Sequence, residues 1–211
     1  MSVYDTEEEQ VEALKKWWSE NGRSIVGGVV LGLGAVFGWQ AWNQHQGQTA
    51  ANASLRYEKM GQAIQSGNSE SALKQGEKII ADWPDTAYGV LAALDLAKVK
   101  LGQGDAAGAQ AQYEWVLANS SGPSMRQVAR LRLAKVLIGN NDLDAAEAVI
   151  AKADSDNYTG EFSVLRGDIA HARKDYDAAR SAYMNALTSE IGNRRLVRMK
   201  LDNLTTATGD K

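Results

Sequence analysis

Residues 103–113 read QGDAAGAQAQY, and this short stretch decides how the larger part of the chain folds. Gln103-Gly104-Asp105 reads as a turn. Ala109 follows it, and Tyr113 lies four positions further on, so alanine and ring share one helical face and clamp onto the helix before the turn. The same arrangement recurs at Ser66-Gly67-Asn68, Asn140-Asn141-Asp142-Leu143 and Lys174-Asp175-Tyr176. Each turn is followed at one offset by an alanine, Ala72, Ala109, Ala146 and Ala179, at spacings of 37, 37 and 33 residues, which is a repeat signal. The bulky position is Ile150 in the third unit and Tyr183 in the fourth, whereas the first carries Gly76. Upstream helices hold small residues for close approach, as in Leu96-Ala97 and Leu133-Ala134. Strand-like runs are almost absent, and Pro84 falls where the first unit should end. From about Gly47 the chain is therefore expected to be an all-α array of helix pairs. A last helix, about Arg194 to Thr206, presents Leu196, Met199, Leu201 and Leu204 to cap the open end.

Upstream lies SIVGGVVLGLGAVFGWQAW, residues 24–42, which carries no charge; no Asp, Glu, Lys or Arg occurs between Arg23 and Arg56. At helical rise it reaches roughly 28 Å, matching a bilayer core of about 30 Å. Its aliphatic and aromatic side chains favour insertion by about 3 to 4 kcal/mol together. Trp17 and Trp18 precede it and Trp39 and Trp42 close it, as interfacial rings do. Five glycines would be costly in a soluble helix of this length. The segment is expected to be a single transmembrane helix.

The first 23 residues become helix-like from about Thr6, with Val11, Leu14 and Trp18 on one face suited to the headgroup layer, and Asn21-Gly22 is expected to break the helix before the span. Lys15, Lys16 and Arg23 precede the span and the next basic residue is Arg56, which predicts a cytoplasmic N-terminus and a translocated C-terminal part. Ala51-Asn52-Ala53 has the small-x-small form of a signal-peptide processing site, but it lies well past an apolar core that is longer than a signal's, so retention as an anchor is expected. Gly28 with Gly32, and Gly34 with Gly38, form small-x-x-x-small pairs that let another membrane helix pack closely; glycine is also simply common in such helices. The predicted organisation is residues 1–23 cytoplasmic, 24–42 transmembrane and 43–211 translocated across the membrane, the last with about four helix pairs and a capping helix.

Charge and composition narrow the function. The chain holds 23 basic and 26 acidic residues; the first 23 residues take 3 and 6 of these, leaving 20 against 20, with no electrostatic footprint for nucleic acid. Without cysteine there is neither a disulfide framework nor a thiolate metal site. His45 and His171 stand far apart and read as solvated residues. The Gly27, Gly28, Gly32 and Gly34 run lacks the Lys-Ser/Thr of a phosphate loop, and Glu7-Glu8-Glu9 reads as a solvated run. No nucleophile set, cofactor site or metal site is expected, so the chain reads as a binding protein, not an enzyme.

The helix pairs resemble the tetratricopeptide repeat in degenerate form: an early tryptophan is missing from every unit, Asn141 replaces a turn glycine, and Gly76 replaces a clamp. In that family the first helices of the pairs line a concave wall that holds peptides. The resemblance would place Leu94, Lys98, Leu131, Lys135, Val164 and Asp168 near it, although the apolar members could equally be core. Trp115 points about 200° away from Tyr113 around its helix and is expected to be exposed, covered by a partner, or packed on an adjacent unit.

Taken together, the two halves resemble the ancillary SecYEG translocon subunit family. The residues that carry this are Glu9-Gln10-Val11-Glu12-Ala13-Leu14-Lys15 with Glu20-Asn21-Gly22, Gly38-Trp39-Gln40-Ala41-Trp42-Asn43, and Ala53-Ser54-Leu55 with Tyr57. Further on are Leu131-Arg132-Leu133-Ala134-Lys135-Val136, Arg166-Gly167-Asp168, Ala178-Ala179-Arg180-Ser181-Ala182-Tyr183 and Met199-Lys200-Leu201-Asp202-Asn203-Leu204. The resemblance implies a bacterial inner-membrane protein beside the SecYEG translocon. Its periplasmic repeats would help pass translocating polypeptides to periplasmic chaperones, with a membrane-anchored prolyl-isomerase-like chaperone as partner. It also implies a link between the cytoplasmic segment and a stress-response regulator. Two other readings stay open: a scaffold of another envelope assembly, and a regulator acting through the cytoplasmic segment.

Overall fold

The computed structural model describes residues 7–153 and 158–208, with the side chains of the first and last helices described from Gln10 and up to Leu204. Residues 1–6, including Asp5 of the acidic opening, lie outside the described part. The first helix, α1, spans Glu7–Gln65, and the chain divides within it into two compact units, Met1–Ala51 and Asn52–Lys211.

In the first unit the expected break at Asn21-Gly22 does not occur. The Asn21 amide donates to the Trp17 carbonyl oxygen at 3.0 Å, and the Trp18 ring covers Gly22 so closely that a Cβ there would lie 3.2 Å from it. An Asn-Gly pair whose side chain bonds back into the preceding turn extends the helix instead of ending it. The apolar stretch that follows is long enough to cross a membrane, and none of its most apolar window is buried. Val30 and Leu31 point outward, as do Phe37 and Trp39. An apolar helix exposed on all sides suits hydrocarbon surroundings, not water.

The second unit contains the end of α1, then α2 (Ser69–Asp82), α3 (Ala87–Gly102), α4 (Ala106–Asn119), α5 (Pro123–Gly139), α6 (Leu143–Ala151), α7 (Thr159–Ala172), α8 (Tyr176–Thr188) and α9 (Arg194–Thr208). No strand occurs among the described residues. Sequential helices pack as neighbours, and α5 also meets α7, as in a stack of pairs.

The turns within the pairs are built alike. Gly67, Gly104, Asn141 and Lys174 take positive φ, at 73°, 81°, 61° and 64°. The next residue donates its N–H five positions back: Asn68 to Ala63, Asp105 to Lys100, Asp142 to Leu137 and Asp175 to Ala170, all at 2.8–2.9 Å. These bonds close the first helix in a Schellman motif. The same four residues then cap the second helix, their side chains accepting from the N–H groups of Ser71, Gly108, Ala145 and Ala178. One residue thus satisfies the orphan groups of two helices. The third unit keeps this turn without glycine because Asn tolerates the left-handed region.

Ala72, Ala109, Ala146 and Ala179 are fully buried, and Tyr113, Ile150 and Tyr183 nearly so. Gly76 departs from the pattern for a packing reason: a Cβ there would sit 2.7 Å from Leu96 and 2.9 Å from Met60, whose side chains already fill the clamp site. The end is closed by Val197 and Leu204 of α9, packed with Ala179, Tyr183 and Ala186.

Candidate functional site: the first-helix wall

The positions chosen from the repeat fall in register. Lys98, Lys135 and Asp168 each stand six residues before the left-handed turn residue, and Leu94, Leu131 and Val164 stand ten before it. Four helical residues amount to about 400°, so the two sets lie on faces some 40° apart. That rotation separates core from surface. Leu94 and Leu131 are 5% and 8% exposed and belong to the central core with Leu133, Phe162 and Leu165, so as groove residues they are corrected to core residues. Lys98 and Lys135 are exposed.

Two open hollows lie on this wall. The first, about 280 Å³, brings together Lys135, Val164 and Asp168 with Leu196, Val197 and Lys200 of α9. The second, about 390 Å³, is lined by Lys135 again, with Leu101, Tyr113 and Arg132. Lys98 and Leu94 line neither. Trp115 is half-buried against the central core, packed on the array itself and not standing free as an anchor.

The polar groups differ in how they are satisfied. Asp168 accepts from the Tyr183 hydroxyl at 2.7 Å and from the Lys200 ammonium at 2.5 and 2.7 Å. Burial, then the Asp168 carboxylate, push the Tyr183 phenol far above its ordinary range, so it stays a donor. A matching pair stands at the other end of the unit, where the Tyr57 hydroxyl donates to Asp95 at 2.7 Å; burial and that carboxylate raise its pKa to about 12. Burial also raises Tyr113, opposed by the Arg132 guanidinium beside its hydroxyl.

Sequence reasoning missed Arg132, Leu101, Leu196 and Lys200. Arg132 was legible: it stands 37 residues after Asp95, at the same offset from its turn. Lys200 and Leu196 were not, because α9 has no turn of its own to fix which face meets α7. Elsewhere on the surface, Arg173 ties α7 to α6 through Glu147 and Asp144 at 2.7 and 2.5 Å. His171 lies against the Tyr176 ring. In the first unit, Gly28, Gly32, Gly34 and Gly38 have no atom within 4 Å of where a Cβ would stand, so their faces are bare. Among the described residues no three His, Cys, Asp or Glu side chains converge as a metal site would require. The wall offers cations, apolar edges and open volume, the means for binding a chain.

Residues 15–206 match a family described as a tetratricopeptide repeat-like domain. The chain is 34% identical over 206 residues to the ancillary SecYEG translocon subunit of Escherichia coli (strain K12), covering 97% of this chain and 99% of the relative. It is 33% identical over 205 residues to the protein of the same name from Haemophilus influenzae, covering 96% of this chain and all of the relative. The like-named protein of Aggregatibacter actinomycetemcomitans is 31% identical over 204 residues.

Proposed function

Because the chain belongs to the ancillary SecYEG translocon subunit family, we propose that it is a single-pass inner-membrane protein whose repeats receive translocated polypeptides beside SecYEG and pass them to periplasmic chaperones. The domain layout is the one read from the sequence, with residues 1–23 cytoplasmic, 24–42 in the membrane and the repeats in the periplasm. Lys15, Lys16 and Arg23 ahead of the span support this orientation. A membrane-anchored prolyl-isomerase-like chaperone is the partner proposed for the hand-over. The four glycines of the span are its proposed packing face against another membrane helix.

The observation that carries the reading is the first-helix wall, where Lys135, Val164 and Asp168 share one open hollow with Leu196. Tethering gives this wall its use. Held at the pore, it meets emerging chain at an effective concentration that a free domain would not reach. No chemistry is needed, and the protein acts by binding alone.

The test is site-specific photo-crosslinking in intact membranes, with the probe at Lys135 or Leu196. Adducts to translocating chains and to the chaperone are expected, and a probe at exposed Lys174 should yield few. Equal adducts from both faces, or none from the wall, would contradict the reading. A second reading assigns residues 1–23 to a response regulator. The exposed side chains of Val11 and Leu14 favour it, since they offer an apolar contact face. Deletion of residues 2–12 should then reproduce the phenotype of losing the whole protein.

A further inference from the structure

We infer that the first-helix wall selects acidic segments of polypeptide, gripping carboxylates with Arg132 and Lys135 while apolar neighbours seat on Leu101 and Leu196. The inference rests on the groove reading above and names the ligand class of that same groove.

Lys135 lines both hollows, so one side chain borders each of them. It is exposed and makes no ion pair with a carboxylate among the described residues. Arg132 is one helical turn earlier, on the same side of α5, and is also exposed; its neighbour is the neutral Tyr113 hydroxyl. Lys98 occupies on α3 the place that Lys135 has on α5, again exposed and in no ion pair among the described residues. Four cations elsewhere in the repeats are matched: Lys200 by Asp168, Arg173 by Asp144 and Glu147, Lys100 by Asp105 and Lys78 by Asp82. Charge in this part of the chain is balanced overall, so the positive charge of the second hollow comes from the placement of Arg132 and Lys135 and not from an excess in the chain.

The carboxylates nearby do not cancel it. Asp168 is committed to Lys200 and Tyr183. Glu161, the other acidic residue of the first hollow, stands in the first turn of α7 and does not line the second hollow, where Arg132 and Lys135 lie together. In the second hollow, whose lining holds no acidic residue, a guanidinium and an ammonium side by side favour carboxylates through charge-assisted hydrogen bonds. Charge alone does not complete the surface, because Leu101 and Leu196 remain 40% and 45% exposed in the two linings. A ligand that covers all four must carry acid in its middle and apolar side chains on either side. Such a sequence pattern occurs in unfolded polypeptide and is sequestered in folded proteins, which suits a receiver of newly translocated chains.

The test uses the full-length chain in nanodiscs and short fluorescent peptides with leucines near both ends and either two glutamates or two glutamines at the centre. Polarisation should show the glutamate peptide binding about tenfold more tightly, the worth of one charged hydrogen bond. That preference should shrink with added salt, and it should vanish in Lys135→Gln and in Arg132→Gln/Lys135→Gln at unchanged helicity. Equal affinity for the two peptides, with both weakened by Leu196→Asp, would overturn the acidic preference and leave the groove standing. Failure of both peptides to bind would overturn the inference and count against the groove itself.

Discussion

The first and last helix pairs solve one packing problem in opposite ways. In the first, the second helix carries Gly76 at the clamp position, and Met60 and Leu96 bring the bulk to it. In the last, the second helix carries Tyr183, and the glycine is on the first helix, where Gly167 leaves room for the ring. The volume between two helices is what the fold fixes, and which helix supplies it is free. The two ends also differ in rigidity. Met60 and Leu96 are aliphatic side chains with rotamers to spare, whereas the Tyr183 hydroxyl is anchored on Asp168.

The largest effect should come from removing the ring. Tyr183→Ala is expected to cost about 4 kcal/mol in a denaturant titration, since it opens a cavity and strands the Asp168–Lys200 pair. Next are the two glycines. Gly167→Ala drives a methyl into an anchored ring and should cost about 3 kcal/mol, while Gly76→Ala meets side chains that can move and should cost about 1 kcal/mol. Equal costs would break the comparison. The turn caps should follow, with Asp175→Ala losing about 1 kcal/mol of stability.

Tyr57 gives a pH signature. Its folded pKa is raised from an ordinary value near 10 to about 12. Its contribution is therefore fully present below pH 10 and is lost as pH rises through about 12. Stability measured for the parent and for Tyr57→Phe should differ at pH 9 and converge by pH 12; a gap that widens with pH would contradict the sign. The smallest effect is a gain. Lys174 is a non-glycine residue at φ 64°, and Lys174→Gly should stabilise by about 0.5 kcal/mol, the relief of left-handed strain less the entropy glycine loses on folding.

Much of this was legible in the sequence. The turn residues and the alanines at offsets of 37, 37 and 33 give the register of the pairs, because the Schellman and capping geometry accepts few residue types and leaves a visible mark. The uncharged run from Ser24 to Trp42 is equally plain, since length and polarity decide it. What escaped were features set by partners distant in sequence. Gly76 reads as a missing clamp until Leu96 is seen above it. Leu94 and Leu131 differ from Lys98 and Lys135 by about 40° of rotation, too small an angle for periodicity to resolve. Asn21-Gly22 carries a turn signal that a side-chain bond to Trp17 overrides. Lys200 reaches Asp168 only through the docking of α9.

In the proposed function, a membrane anchor holds the repeat wall on the far side of the inner membrane. The chain has no cysteine, so a single Lys98→Cys variant can be labelled with a membrane-impermeant maleimide in spheroplasts with sealed inner membranes. Labelling before lysis at the level reached after lysis is the predicted result. Labelling only after lysis would put the wall in the cytoplasm and contradict the account.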